Sequence, residues 1–296
     1  MSLLNDYKSS LKNVAVEEYA DLFLFRPIAF IFVKLISKTE ITPNQVTGMS
    51  LAVGALSGVF FAWGTNATVA IGGLLIAAAT MLDCADGQLA RLKNNGTPFG
   101  RILDGVVDYL YTISAFVGIA LGSMRNGMSP FAWWVFVSAA GASYAIQAGM
   151  FDYYRNEFLT GILGKSNFVD DEVQLFTREY ENLRGSKGRY IEKILLLVYL
   201  RYSSYQKRLE PKEKDPEKRP FAAQNGVPLF FVRLWSFNGT STHILILVVS
   251  SFLGRPDFFL WYVLVFGSLY ALLLWGVHAM IENGGGWTGR PRATTP

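Results

Sequence analysis

Apolar residues cluster into six stretches, at roughly 44–64, 67–84, 102–123, 130–152, 229–253 and 257–281. Crossing a hydrocarbon core takes about 20 apolar residues, and each stretch reaches or approaches that length. Inside lipid no water pairs with the backbone, so each stretch must close its own hydrogen bonds as a helix. The pattern predicts an all-α integral membrane protein with six transmembrane helices. Ahead of them, residues 13–38 ("NVAVEEYADLFLFRPIAFIFVKLISK") are apolar but interrupted by Glu17, Glu18, Asp21 and Arg26. Those charges predict an N-terminal amphipathic helix lying on the membrane surface rather than a seventh span, broken or kinked at Pro27. In "ITPNQVTG", Thr42 or Asn44 is placed to cap the next helix, with Pro43 in its first turn.

The polar segments complete the outline. Residues 1–41 form a juxtamembrane segment, and 42–285 form one six-helix domain with a cytosolic insertion at about 156–227. Within the insertion, "GRYIEKILLLVYLRYSSYQKRLE" has the pattern of an amphipathic helix. "EPKEKDPEKRP" has the composition of a solvated linker. Residues 286–296 are predicted to be a disordered tail. No internal repeat is evident, and the start of the chain lacks the order of regions of a cleavable signal peptide.

Composition and charge sharpen this picture. The 296 residues are 51% hydrophobic and 17% charged, against about 25% charged in a typical soluble domain. The short loops at 65–67, 124–129 and 254–256 carry only Arg125 and Arg255. Nearly all the remaining basic residues gather in the N-terminal segment, the 91–101 loop and the 155–220 segment, which the positive-inside rule places in the cytosol. The sequence pI near 9.0 follows from this loop charge. Anionic lipid headgroups account for it without nucleic acid. The single cysteine, Cys84, excludes an intrachain disulfide.

One stretch conflicts with its surroundings. "MLDCADGQLARLKNNGTPFGRILDGVVDYL" (81–110) carries Asp83, Asp86, Asp104 and Asp108 between two apolar runs. A carboxylate at membrane depth costs several kcal/mol, about 2.5–3.5 even on permissive scales. Asp83 and Asp86 are spaced i, i+3, and Asp104 and Asp108 i, i+4, so each pair shares one helix face. The first pair ends one span and the second begins the next. Two antiparallel helix ends can therefore aim four acids at one point near the cytosolic surface. Such acids repel unless a cation lies among them, and hard oxygen ligands select Mg²⁺, Mn²⁺ or Ca²⁺. Four carboxylates suit two ions, which could clamp a phosphoryl group. Gly87 leaves room for a ligand against the backbone, and Gly100 leaves space before the second pair. Arg91 supplies a fixed cation suited to phosphate, and Thr97 a hydroxyl in the turn.

In order, the stretch holds Asp83, Asp86-Gly87, Ala90-Arg91, Gly100, Asp104 and Asp108. It resembles the signature of the CDP-alcohol phosphotransferase family, with eight defining positions matched at the proper spacing. The resemblance implies a membrane transferase of phospholipid biosynthesis that passes a phospho-alcohol from a CDP-linked donor to an acceptor hydroxyl and releases CMP. It implies that Asp83, Asp86, Asp104 and Asp108 bind metal, Mg²⁺ or Mn²⁺, and that Asp108 is also the catalytic base. Gly87, Arg91 and Thr97 would contact the donor, together with Asn44, Gln45, Val46 and Thr47 at the start of the first span. Looser matches suggest Arg155 and Arg233 for an acceptor phosphate, each equally explained as an interfacial arginine. "DCADGQLARLK" is closest to the branch that uses inositol phosphate. The favoured expectation is thus CDP-diacylglycerol with a polyol phosphate, the alternative a choline or ethanolamine phosphotransferase acting on diacylglycerol. By resemblance the protein is expected to be a homodimer in the bacterial inner membrane, its site facing the cytosol.

Other readings account for less. Structural ion pairing of the acids with Arg91, Lys93 and Arg101 leaves the matched glycines unexplained. An intramembrane prenyltransferase would need a second acidic cluster, and a cation transporter would need polar residues deeper along the spans. His243 and His278, within predicted spans, are expected to be interhelical hydrogen-bonding groups rather than catalytic ones.

Overall fold

The structure, a computed structural model, describes residues 3–11, 14–127, 129–163, 168–185, 188–209 and 229–283. Among these residues all regular structure is helical. Helix α1 (Leu3–Ser10) is followed by a 3-10 turn and a π-helical turn (Asp21–Phe25) leading into α2 (Arg26–Ile36). The long helices are α3 (Pro43–Trp63), α4 (Asn66–Lys93), α5 (Pro98–Arg125) and α6 (Pro130–Leu163). An outer pair, α7 (Phe168–Arg184) and α8 (Tyr190–Leu209), precedes the short α9 (Leu229–Trp235) and α10 (Thr240–Phe252). Last come α11 (Pro256–Trp261), a π-helical turn (Tyr262–Gly267) and α12 (Ser268–Asn283). The charged stretch at 210–220 and the tail at 286–296 lie outside the described residues.

Four helices are long and apolar enough to cross a membrane: Pro43–Trp63, Asn66–Lys93, Pro98–Arg125 and Pro256–Met280. They correspond to the first, second, third and sixth predicted spans. The fourth predicted run lies within the single helix α6. The fifth, expected as one helix over 229–253, is divided instead. Helix α9 passes into a 3-10 turn at Ser236–Asn238, and Gly239 is extended before α10 begins. A contact from the far end of the chain explains the break. The buried Glu18 carboxylate accepts hydrogen bonds from the amides of Ser241 (3.2 Å) and Thr242 (2.9 Å) and so caps α10. Any Cβ on residue 239 would collide with that carboxyl group.

The N-terminal segment is built into the body of the protein. Ala29, Val33 and Ile36 of α2 pack on Val46, Leu82, Ala85 and Leu89 of α3 and α4. Arg26 pairs with Glu17 at 2.5 Å, both buried. Arg233 donates to the carbonyls of Glu17 and Val14, each at 2.8 Å. On the outer side of α2, Ile28, Ile31 and Leu35 are exposed. Pro27 does not break the helix, because the π-helical turn directly before it absorbs the irregularity.

Helix α3 is capped at its start and packed along its length. Thr42 and Gln45 form a capping box at its start, with Gln45 N–H to Thr42 Oγ1 at 3.3 Å and Thr42 N–H to Gln45 Oε1 at 2.9 Å. It packs along both α4 and α5, and its seam with α5 is lined by small residues: Gly54 and Gly58 on one side, Ser114, Gly118 and Gly122 on the other. A Cβ on Gly118 would strike the Gly58 carbonyl, and one on Gly122 the Phe61 carbonyl. Small residues four apart on both partners let membrane helices meet backbone to backbone. Deeper in the bundle, His243 Nε2 and Gln147 Oε1 lie 3.0 Å apart, and Gln147 donates to the Val263 carbonyl at 2.8 Å. His243 is thus an interhelical hydrogen-bonding group, as expected. The Val263 carbonyl belongs to the π-helical turn, where the regular helical bonding pattern is interrupted.

Candidate active site

The turn between α4 and α5 sets the site. Asn94 takes a left-handed conformation (φ 52°) and ends α4, its amide donating to the Arg91 carbonyl. Asparagine tolerates that conformation better than most residues. Three residues later Thr97 caps α5, its hydroxyl accepting from the Gly100 amide at 3.0 Å, with Pro98 in the first turn. So short a link makes the two helices antiparallel neighbours. Asp86 lies seven residues before the end of α4 and Asp104 six after the start of α5. At about 1.5 Å per residue, both sit roughly 10 Å from the turn, at matched depth.

Asp83, Asp86 and Asp104 each present a carboxylate oxygen, and these oxygens all lie within 4.8 Å of one another. Asp108 lies beside Asp83, close enough for the two acids to repel, and Tyr111 hydrogen-bonds to Asp108 one turn further on. From α3, Thr47 bonds its hydroxyl to Asp86 Oδ2 and to the Pro43 carbonyl (3.2 Å), fixing one acid to a second helix. Among the described residues, Asp83, Asp86 and Asp104 make no ion pair. Arg91 Nε instead donates to the Ser10 carbonyl at 2.5 Å, and Lys93 to the carbonyls of Thr39 (2.7 Å) and Ile41 (2.8 Å). Structural ion pairing with these two cations therefore does not explain the acids.

The donor set fits a divalent cation. Oδ1 of Asp83 and Oδ1 of Asp104 are buried and accept no hydrogen bond among the described residues. Buried acceptors of this kind carry a large desolvation cost unless something binds them. Carboxylates at this spacing need a proton or a cation between them, and an all-oxygen ligand set is the one hard cations prefer. Asp83, Asp86 and Asp104 would be the ligands, with Asp108 at their edge.

A cavity opens beside the cluster, walled by Asn44, Thr47, Asp86, Gly87, Gly100 and Arg101 among others. Asn44 and Gly100 face each other closely, since a Cβ on residue 100 would lie 2.9 Å from Asn44 Oδ1. Gly87 lies in the wall with the Arg91 guanidinium close by, 3.4 Å from where a Cβ would stand. Of the residues expected to meet the donor, Asn44, Thr47, Gly87 and Thr97 line this cavity. Val46 is fully buried in the core and Gln45 completes the helix cap, so neither reaches it. Arg155 pairs with Asp152 at 3.0 Å and lies over the Phe151 ring, while Arg233 holds the N-terminal segment. Neither lines the cavity. Arg101 does, and the sequence singled it out only as a possible ion-pair partner.

Among the described residues the protein is thus all-helical, with membrane-length helices and a pooled carboxylate cluster able to hold a divalent cation beside a polar cavity. Its residues 40–168, which carry that cluster, match the family model of the CDP-alcohol phosphatidyltransferases. An archaetidylinositol phosphate synthase from Pyrococcus horikoshii is 35% identical over 91 residues, 31% of this chain and 47% of that protein. A bifunctional IPC transferase and DIPP synthase from Aquifex aeolicus is 33% identical over 146 residues, 47% of this chain and 33% of its own length. A ceramide phosphoethanolamine synthase from Drosophila melanogaster is 31% identical over 113 residues, 34% of this chain and 29% of that protein. The chain spans less than half the length of each of these relatives. Membrane-length helices together with this match mark it as an integral membrane protein.

Proposed function

We propose that the protein transfers a phosphatidyl-type group from a CDP-linked lipid to the hydroxyl of a polyol phosphate, with release of CMP. The observation that carries this reading is the convergence of Asp83, Asp86 and Asp104 beside a cavity that reaches Asn44, Gly87 and Thr97. Bound divalent cation, as one ion or two, would neutralise the diphosphate and stabilise charge developing on its oxygens. This chain's own residues supply the rest. Gly87 and Gly100 leave room for the donor, and Asn44 offers an amide to it. Thr47 keeps Asp86 turned toward the cluster. The acceptor oxygen bonds to the phosphorus that bears the lipid alcohol, and the bond from that phosphorus to the CMP oxygen breaks. Asp108, at the edge of the cluster, takes the acceptor's proton.

Two relatives whose names specify inositol phosphate or IPC chemistry favour a polyol phosphate acceptor. The Drosophila relative, named for ceramide phosphoethanolamine, favours a second reading in which phosphoethanolamine passes to a lipid alcohol. Six spans, a surface-lying N-terminal helix, a site open to the cytosol of a bacterial inner membrane and a homodimeric assembly complete the proposal. The test is CMP release by the purified protein with Mg²⁺ or Mn²⁺, using CDP-diacylglycerol and CDP-ethanolamine against inositol phosphate, glycerol phosphate and diacylglycerol. The first donor with a polyol phosphate should give turnover that a chelator abolishes. CMP release only with diacylglycerol would overturn the favoured acceptor, and none with any pair would overturn the reading.

A further inference from the structure

We propose that Arg101 is a phosphate-binding residue of the cavity, and that the helical pair α7–α8 acts as a positioning element by holding it there through Phe176. This deepens the transferase reading above and rests on it. Among the described residues that line the cavity, Arg101 is the only basic one. A diphosphate entering a site rich in carboxylates needs a cation on its outer side.

The setting of Arg101 also points to an anion. It lies in the first turns of α5, just after the Thr97 cap, where the positive end of the helix dipole disfavours a cation. An arriving phosphate would relieve that opposition and could accept the guanidinium's paired donors. The guanidinium lies over the Phe176 ring, 5.7 Å from its centroid, within the range of a cation–π contact. Phe176 is fixed in turn. It is 1% exposed, clusters with Ile102, Leu183 and Leu196, and meets the Tyr199 ring edge-on at 4.6 Å. The apolar heart of α7–α8 thus docks on the start of α5 and presents one aromatic face to one cavity arginine. The family match ends at residue 168, where α7 begins. The helical pair is an addition beyond the matched domain, suited to adjust which phosphate-bearing substrate is held.

The test uses the full chain in detergent or nanodiscs. CDP and inorganic phosphate are each titrated with Mg²⁺ present, and Michaelis constants are measured for donor and acceptor. Arg101→Ala should weaken binding of one probe, and raise the KM of the matching substrate, by about tenfold, the loss expected for a hydrogen bond to a charged group. A change in CDP and the donor assigns Arg101 to the diphosphate. A change in inorganic phosphate and the acceptor assigns it to the acceptor. Neither changing overturns the assignment. Phe176→Leu, which keeps apolar volume but removes the ring, should raise the same KM by about threefold with kcat unchanged. That effect should vanish in the Arg101→Ala background, and Phe176→Tyr should behave as the native protein. A fall in kcat or melting temperature without the KM change would make α7–α8 merely structural and overturn its role. If the native protein releases no CMP from any donor, the transferase reading fails by itself, and the two titrations still decide Arg101.

Discussion

Replacing Gly54 by alanine should disable the site from two turns away, while the same change at Gly48 should be silent. Both glycines lie in α3. A Cβ at Gly48 meets nothing within 4 Å, whereas one at Gly54 would overlap Tyr111 Cβ and approach Ala79 Cβ at 3.3 Å. Carbon atoms pack at about 3.5–4.0 Å, so α3 and α5 must part by roughly 1 Å. Rotation cannot relieve the clash, because Tyr111 Cβ is fixed to the α5 backbone. Overpacking of this kind costs about 1–3 kcal/mol, and alanine returns up to about 1 kcal/mol of helix propensity. The net loss of stability is modest, about 1 kcal/mol. The positional effect is larger. Tyr111 hydrogen-bonds to Asp108, and Thr47, seven residues before Gly54, holds Asp86. A misplacement of about 1 Å in a reacting constellation can lower turnover by about a hundredfold. The assay is CMP release per folded protein, with folding judged by thermal unfolding in detergent. Gly54→Ala should retain a cooperative transition and lose most of its kcat, and Gly48→Ala should keep native turnover and melt no lower than the native protein. Equal turnover in the two variants would refute the claim that the α3–α5 seam sets the site.

Three further outcomes follow from the same contacts. Asp108→Asn should abolish turnover and leave Mg²⁺-dependent CDP binding within about threefold of native, as calorimetry would report, because Asp83, Asp86 and Asp104 remain. Gly239→Ala should displace the Glu18 carboxyl from the amides of Ser241 and Thr242 and cost about 1–2 kcal/mol, the worth of a helix cap, seen as a lowered melting temperature. Burial and the nearby Asp21 push Glu18 up to about 8 from 4.5, against the pull of its Ser241 and Thr242 donors. The folded state therefore holds that proton more tightly than the unfolded state. The associated stability is complete below about 4.5 and is lost as pH rises through about 8. Melting temperature should decline across that window in the native protein, and the decline should be smaller in Glu18→Gln.

The acids were legible because every relation they needed is local. Spacings of three and four residues fixed their helix faces, and the Asn94–Thr97 turn fixed their opposition. Thr42 was legible as a cap for the same reason, though the returning bond from Gln45 was not drawn from it. What stayed hidden depends on residues far apart in the chain. Hydropathy across 229–253 carries no sign that Glu18 reaches Gly239 and divides the helix. Arg101 looks like any loop cation until Phe176 is seen beneath it. The glycines of the α3–α5 seam were present in the sequence at four-residue spacing, and that spacing could have marked the helix pair that meets backbone to backbone. Arg155 and Arg233 show the opposite limit: a plausible anion holder by position can be held by a neighbouring carboxylate or carbonyl once the chain folds.

In the proposed reaction, two helix ends pool their carboxylates to hold a divalent cation against the donor's diphosphate. Electron paramagnetic resonance titration of the protein with Mn²⁺, with and without CDP, tests it most directly. Binding should be saturable, should tighten when CDP is present and should be lost in Asp86→Asn and Asp104→Asn. Weak, non-saturating binding that is indifferent to CDP and unchanged in both variants would contradict it.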